Sequence, residues 1–160
     1  MNDILEILED NARISESDLA KLTNKSKKEV SAEMKKLEKK GVIVKYKTVI
    51  NKAKLSGERT VRALIEVKVS PQKDVGFDSI AERIYKFPEV KSCYLLSGAY
   101  DLLLIVEGED MHTVASFVAE KLAPLSSVMS TATHFLLKKY KEDGIMLVKK
   151  QKNKRQAISF

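Results

Sequence analysis

SESDLAKLTNKSKKEVSAEMKKLEKKGVI, residues 15–43, is the stretch whose reading decides the N-terminal fold. Ser26 and Glu29 form an S-x-x-E capping box, in which each side chain satisfies a backbone amide of the other's turn, so a helix starts there. Val30, Met34 and Leu37 follow at i, i+4 and i+7 and face inward. Gly41 supplies a residue suited to the left-handed backbone that ends a helix. Upstream, Ser15 stands three residues before Asp18, a capping box with a shorter acid. Leu19, Ala20 and Leu22 make a short helix, and Thr23-Asn24-Lys25 a turn in which Asn24 tolerates positive φ. Ile4, Leu5, Ile7 and Leu8 mark an earlier helix, which Asn11-Ala12-Arg13 breaks. Downstream, Val42, Ile43, Val44, Tyr46, Val49 and Ile50 are strand formers, so residues 42–50 read as extended. Three helices followed by a strand are the plan of a winged helix-turn-helix.

The charge pattern agrees with that plan. Residues 21–54 hold twelve lysines against three acids, Glu29, Glu33 and Glu38. That excess is larger than the whole chain's net charge of +7, so the remainder is slightly acidic. Concentrated cations of this kind displace counterions from phosphates, and the implied partner is double-stranded DNA. The third helix is the reading element. Lys25, Lys27, Lys28, Ser31 and Lys35 form its exposed face, with Ser26 kept for the cap. Lysine is a point charge and reads bases poorly beside a bidentate arginine. The helix has no Arg, Asn or Gln, so phosphates and DNA shape carry much of the affinity, with Lys27, Lys28 and Ser31 left for base edges. The bland alternative is a solvated lysine face.

The second half repeats a pattern. Val61, Ala63, Ile65, Val67 and Val69 alternate with Arg62, Leu64, Glu66 and Lys68 as a strand that Pro71 closes. Phe77, Ile80, Ala81 and Ile84 form a helix that Pro88 stops. Residues 90–96 and 100–106 read as strands about the turn Ser97-Gly98-Ala99. Asp110 caps a helix bearing Val114, Phe117, Val118 and Leu122, ended by Pro124, and residues 128–137 are a last strand. The order βαββαβ is ferredoxin-like. The fold class is therefore α+β. Its parts are a winged helix-turn-helix over 1–50, a linker over 51–59, an effector-binding and oligomerising domain over 60–148 and a basic tail over 149–160. Leu102-Leu103-Leu104-Ile105-Val106 has no polar alternation, so both faces of that strand want burial. Two helices cover only one face of such a sheet, which implies a homodimer through the other. The alternative is an apolar strand left partly exposed or covered by the tail.

The turn before that strand has its own chemistry. Gly98 permits positive φ and a close approach of its amide to a carboxylate, and Asp101 suits an ammonium. An amino acid carries both charges. The alternative is that Gly98 and Asp101 only close a tight hairpin.

Other classes find little support. The one cysteine, Cys93, lies between Ser92 and Tyr94 in an apolar stretch and reads as a packed thiol, not a nucleophile. A single cysteine forms no intrachain disulfide, which fits a cytoplasmic location. The opening Met1-Asn2-Asp3 is unlike a signal peptide, and the longest apolar run is too short for a bilayer, so no membrane partner is expected. No phosphate loop, dinucleotide fingerprint or zinc motif appears, and no cofactor, metal site or catalytic group is expected.

These residues resemble the Lrp/AsnC, or feast/famine, transcription regulators. The resemblance rests on Ile4 to Gly41, including Asn11-Ala12-Arg13-Ile14-Ser15 and Leu37-Glu38-Lys39-Lys40-Gly41-Val42-Ile43, on Tyr46 and Asn51, and on Ser97-Gly98-Ala99-Tyr100-Asp101 before an apolar strand. It spans about residues 1–148, and the basic tail runs past the usual end. It implies a sequence-specific regulator modulated by a small molecule, an amino acid, bound at a subunit interface. Ser97, Gly98, Ala99, Tyr100 and Asp101 are the implied effector residues, with hydroxyls from Thr131 and Thr133, and rings of dimers are the implied higher assembly. Two rivals stay open. One is an architectural DNA protein of low sequence specificity. The other is a decarboxylase of the related tetrapyrrole-processing group, for which the chain offers only His112 and His134.

Overall fold

The computed structural model describes residues 3–57, 60–70 and 76–148. The chain divides into two compact units, residues 1–50 and 51–160.

The first unit packs three helices: α1 (Asp3–Asp10), α2 (Glu16–Leu22) and α3 (Lys27–Lys39). Ile4, Leu8, Leu19, Ala20 and Val30 make its small core, with Ile7, Ile14, Met34 and Ile43 packed against it. Leu22, though apolar, lies outside that core and is exposed. The boundaries follow local chemistry. Asn11 Oδ1 accepts from Arg13 N at 3.1 Å and turns the chain out of α1. Ser15 Oγ accepts from Asp18 N at 3.1 Å and starts α2. Asn24 sits at φ 52°, the left-handed conformation that separates α2 from α3. Ser26 and Glu29 complete the capping box of α3. Its far end is a Schellman closure: Gly41 at φ 69° lets Gly41 N reach Glu38 O and Val42 N reach Leu37 O, both at 2.9 Å.

The expected strand over 42–50 does not form, and no ladder runs along it among the described residues. Val44 is 87% exposed and Ile50 59%. Strand formers make a strand only against a pleated, half-buried neighbour, and this segment lies beside none. The expected linker is also partly ordered. Residues Lys52–Lys54 form a helical turn, and Asn51 Nδ2 donates to Leu147 O at 2.9 Å.

The second unit is a four-stranded antiparallel sheet with two helices. β1 (Val61–Val69), α4 (Phe77–Tyr85), β2 (Val90–Leu95), β3 (Leu102–Gly108), α5 (Met111–Ser116) and β4 (Val128–Phe135) follow in chain order. The sheet order is β2-β3-β1-β4, the ferredoxin-like arrangement. The turns after α5 widen into a π-helix, Phe117–Leu122, with Ala123 N donating to Val118 O at 2.8 Å. This packs Phe117 edge-on against Phe87, ring centres 5.6 Å apart.

Alternation along β1 sends Ala63, Ile65, Val67 and Val69 into the core, where they meet Leu102, Leu104 and Val106 of β3 and Ile80, Ile84, Val114, Phe117 and Leu122 of the helical layer. Leu64, Leu103 and Ile105 point to the other face, where they stay half-buried. The third strand begins at Leu102 rather than at residue 100, because Asp101 is drawn toward β1. The fourth ends at Phe135. A short hairpin follows: β5 (Lys141–Glu142) and β6 (Ile145–Met146) about Asp143-Gly144, both at positive φ. Pro71 and the basic tail lie outside the described residues.

Candidate functional site

Helical geometry sorts the expected DNA-binding residues. With 100° between successive residues, Lys27, Lys28, Ser31 and Lys35 share one side of α3, while Val30 and Met34 face the core and Leu37 is half-buried outside it. Lys27, Lys28, Ser31 and Lys35 line one surface depression together with Ala32 and with Glu16 of α2. The three lysines are exposed and Ser31 is half-buried.

Lys25 is not on that side. It precedes the cap of α3, and its Nζ lies 2.6 Å from Glu33 Oε2, around the helix from Lys27 and Lys35. The hydrogen bond to Glu33 raises the Lys25 pKa. The structure therefore brings four of the five residues together and gives Lys25 an acid of its own. The capping box holds the start of α3 firm. The Ser26 hydroxyl first, and the Ser26 amide second, keep the Glu29 carboxyl below its ordinary range. Glu16 was not legible as part of this surface, because Ser31 and Glu16 are fifteen residues apart.

The second candidate site is the loop between β2 and β3. Leu96 N donates to Asp101 O at 2.8 Å and closes Ser97, Gly98, Ala99 and Tyr100 into a hairpin loop. Ser97, Gly98 and Ala99 are exposed, while Tyr100 and Asp101 are half-buried. Gly98 does not take the expected conformation. The glycines at positive φ are Gly41, Gly57 and Gly144 among the described residues. Four residues between the closing pair turn the chain without a left-handed step at Gly98, and a Cβ there would meet open space.

Asp101 is doubly tied to β1. Its amide donates to Val67 O at 3.1 Å, and its Oδ2 accepts from Val69 N at 2.8 Å. One carboxylate oxygen is thus structural. Thr131 and Thr133 pair with Val67 and Ile65. Opposed residues of an antiparallel pair share a face, so both threonines lie on the helix-covered side of the edge strand β4. Thr131 is level with Val67, at the end of the sheet where Asp101 bonds. Cys93 packs against the core, and burial pushes its thiol pKa up, as for an inert thiol.

Three helices with a lysine-lined third helix and a βαββαβ unit with this loop match known proteins, each in its own half of the chain. A sequence model of the Lrp/AsnC ligand binding domain matches residues 62–146, and one of winged helix-turn-helix DNA-binding domains matches residues 2–44. The chain belongs to the Lrp/AsnC family. This regulator is 47% identical over 157 residues to the HTH-type transcriptional regulator YugG of Bacillus subtilis, covering 98% of this chain and 95% of that one. It is 32% identical over 142 residues to the proline dehydrogenase transcriptional activator of Rhizobium radiobacter, covering 89% and 90%. Among solved structures, a transcriptional regulator of Neisseria meningitidis in complex with L-methionine matches at a TM-score of 0.71 and 28% identity, covering 88% of this chain and 89% of that one. Escherichia coli AsnC matches in fold, at a TM-score of 0.67 and 23% identity over 88% and 91%. The regulator is a DNA-binding transcription factor of this family. No helix among its described residues is long and apolar enough to cross a membrane.

Proposed function

We propose that this transcription regulator binds operator DNA through Lys27, Lys28, Ser31 and Lys35, with Lys25 outside the contact, and answers to an amino acid at the loop of Ser97, Gly98, Ala99, Tyr100 and Asp101. The observation that carries the DNA assignment is the single depression that gathers three lysines and Ser31 on the exposed side of α3. The effector assignment is supported by the loop's attachment to β1 through Asp101, which uses only one of its two carboxylate oxygens in the bond to Val69. It is also supported by the L-methionine complex of the Neisseria regulator. Thr131 is at the right end of the sheet to add a hydroxyl, and Thr133 lies one strand pair further along the same face.

The reading includes a homodimer through the open face of the sheet, assembled further into dimers of dimers or rings. Leu64, Leu103, Ile105 and Ala132 form the apolar centre of that face, and helices cover only the other. Effector binding shifts the balance between assemblies and so changes the spacing of the reading helices. A DNA-binding regulator acts where the genome is, which supports a cytoplasmic location.

The arginine-free α3 also favours a second reading, an architectural protein that binds DNA with little sequence preference. Fluorescence anisotropy separates the two. The full chain is titrated onto duplex DNA from upstream of its own gene and onto a shuffled duplex at one fixed salt, with and without L-methionine. A preference of about a hundredfold or more, roughly 3 kcal/mol, is the expected result. Equal, salt-sensitive binding to both duplexes establishes the architectural reading.

A further inference from the structure

Glu16 is an anomaly on the DNA-reading surface. It lines the same depression as Lys27, Lys28 and Lys35, yet it forms no ion pair with them among the described residues. Its carboxylate Oε1 accepts one long hydrogen bond, from Ser31 Oγ at 3.5 Å. It has no part in capping α2, since Ser15 does that through Asp18 N. A half-buried carboxylate here opposes the one interaction the lysines serve, because phosphates offer only acceptors and negative charge.

Major-groove bases do offer donors. Cytosine N4 and adenine N6 present amino hydrogens, and a carboxylate characteristically accepts from cytosine N4. The guanine of the same pair presents O6 and N7, acceptors that suit a lysine ammonium. An acceptor beside lysine donors, on one surface, is the complement of the edge of a C·G pair. Resting on the assignment of α3 as the reading helix, we infer that Glu16, oriented by Ser31, accepts a hydrogen bond from a cytosine N4, while a lysine of the same depression takes the paired guanine. Specificity at that position then comes from α2, and the arginine-free α3 no longer has to supply it.

The test is selection of binding sites by the full chain from a random-sequence duplex library, followed by competition anisotropy with single-pair variants of the selected site. The wild type selects a C·G pair at a fixed position of each half-site. Glu16→Ala keeps the rest of the consensus and loses about tenfold or more of the preference for cytosine there. Glu16→Gln moves the preference toward adenine, which a carboxamide matches through N6 and N7. Unchanged melting of both variants shows that the fold is intact. If Glu16→Ala keeps the full consensus and tightens binding to every sequence alike, with a steeper salt dependence, Glu16 only repels phosphate and the inference is overturned. If the wild type selects no consensus at all, the sequence-specific reading itself fails, and this inference fails with it.

Discussion

Lys27 and Lys28 open α3 without an acid to hold them among the described residues, whereas Lys25 is held by Glu33. Free ammonium groups at the start of a reading helix neutralise phosphates, and each neutralised phosphate contributes about 0.9 to the log–log slope of affinity against salt. Changing Lys27 and Lys28 together to Ala therefore weakens binding to any duplex and flattens that slope by about two. Lys25→Ala leaves both nearly unchanged. Anisotropy titrations at several salt concentrations read both numbers, and an unaltered slope in the double variant removes these lysines from the contact. Asp101 needs a subtler substitution, because its carboxylate holds the Val69 amide and is also the proposed ammonium site. Asp101→Ala leaves the Val69 amide without its acceptor, a loss of about 1–3 kcal/mol for a bond to a charged group. Asp101→Asn keeps an acceptor for Val69 and removes only the charge. Asp101→Asn is expected to melt close to the wild type and to lose the stabilisation that added amino acid gives the wild type. A thermal shift with L-methionine that survives in this variant takes the ammonium away from Asp101. Ser26, Asn24 and Gly41 were legible because caps and left-handed turns are settled within four or five residues of chain. The company of Glu16 and Ser31, and the tie from Asp101 to Val69, depend on tertiary approach, for which the sequence carries no local mark.

Elements were legible where burial is two-sided or periodic. The unbroken apolar run of β3 resolves into Leu102, Leu104 and Val106 against the helices and Leu103 and Ile105 on the open face, as its missing alternation implied. Residues 42–50 misled because strand propensity is fulfilled only by a neighbouring strand. The hairpin at the end of the second unit went unread although Asp143-Gly144 is a strong two-residue turn signal, since only two residues flank it on each side. Side chains attach that hairpin to the sheet. Arg62 of β1 binds Glu107 of β3, and its Nη1 lies 3.1 Å from Glu142 of β5; Lys139 also pairs with Glu142. Burial pushes the Glu107 carboxyl up, but the hydrogen bond and charge of Arg62 more than reverse this, so it sits below its ordinary range. Glu142 is lowered as well, first by Lys139. Carboxylates depressed in the folded state add stability at every pH above their unfolded value, and lose it as pH falls through the folded one. Urea midpoints of the full chain are therefore expected to hold steady from neutral pH down to the ordinary glutamate range and to drop below it. In Arg62→Gln the midpoint is lower at neutral pH and falls less on acidification, because Glu107 is no longer held below its ordinary range, so the two profiles converge at low pH. Superimposable pH profiles of the two proteins refute the role given to this network.

At the scale of the molecule, the sheet has a covered face and an uncovered one, and the uncovered one explains why β3 is apolar on both sides. Leu103 and Ile105 stand at its centre, opposite Glu66 and Leu64 of β1. Across β1 and β4 on that face, Glu66 Oε2 lies 3.5 Å from His134 Nε2. In the proposed dimer a second copy of the same face would bury Ile105 against apolar side chains, and a carboxylate at that position would have no partner there. Burying an unpaired charge costs far more than the lost methyl groups, so Ile105→Glu is expected to turn the dimer into monomers. The monomer itself should stay folded, because Ile105 points away from the core that Leu104 and Val106 complete. Two consequences follow from one substitution. Sedimentation velocity reads the mass directly, and circular dichroism confirms the fold. DNA binding falls too, although the substitution lies in the other unit. Two linked reading helices engage a two-part operator with an advantage of roughly a hundredfold or more over separate ones. A monomer keeps only the single-site affinity. Were Ile105→Glu to sediment as a dimer with operator affinity intact, the open face would not be the interface, and the apolar side of β3 would need another cover.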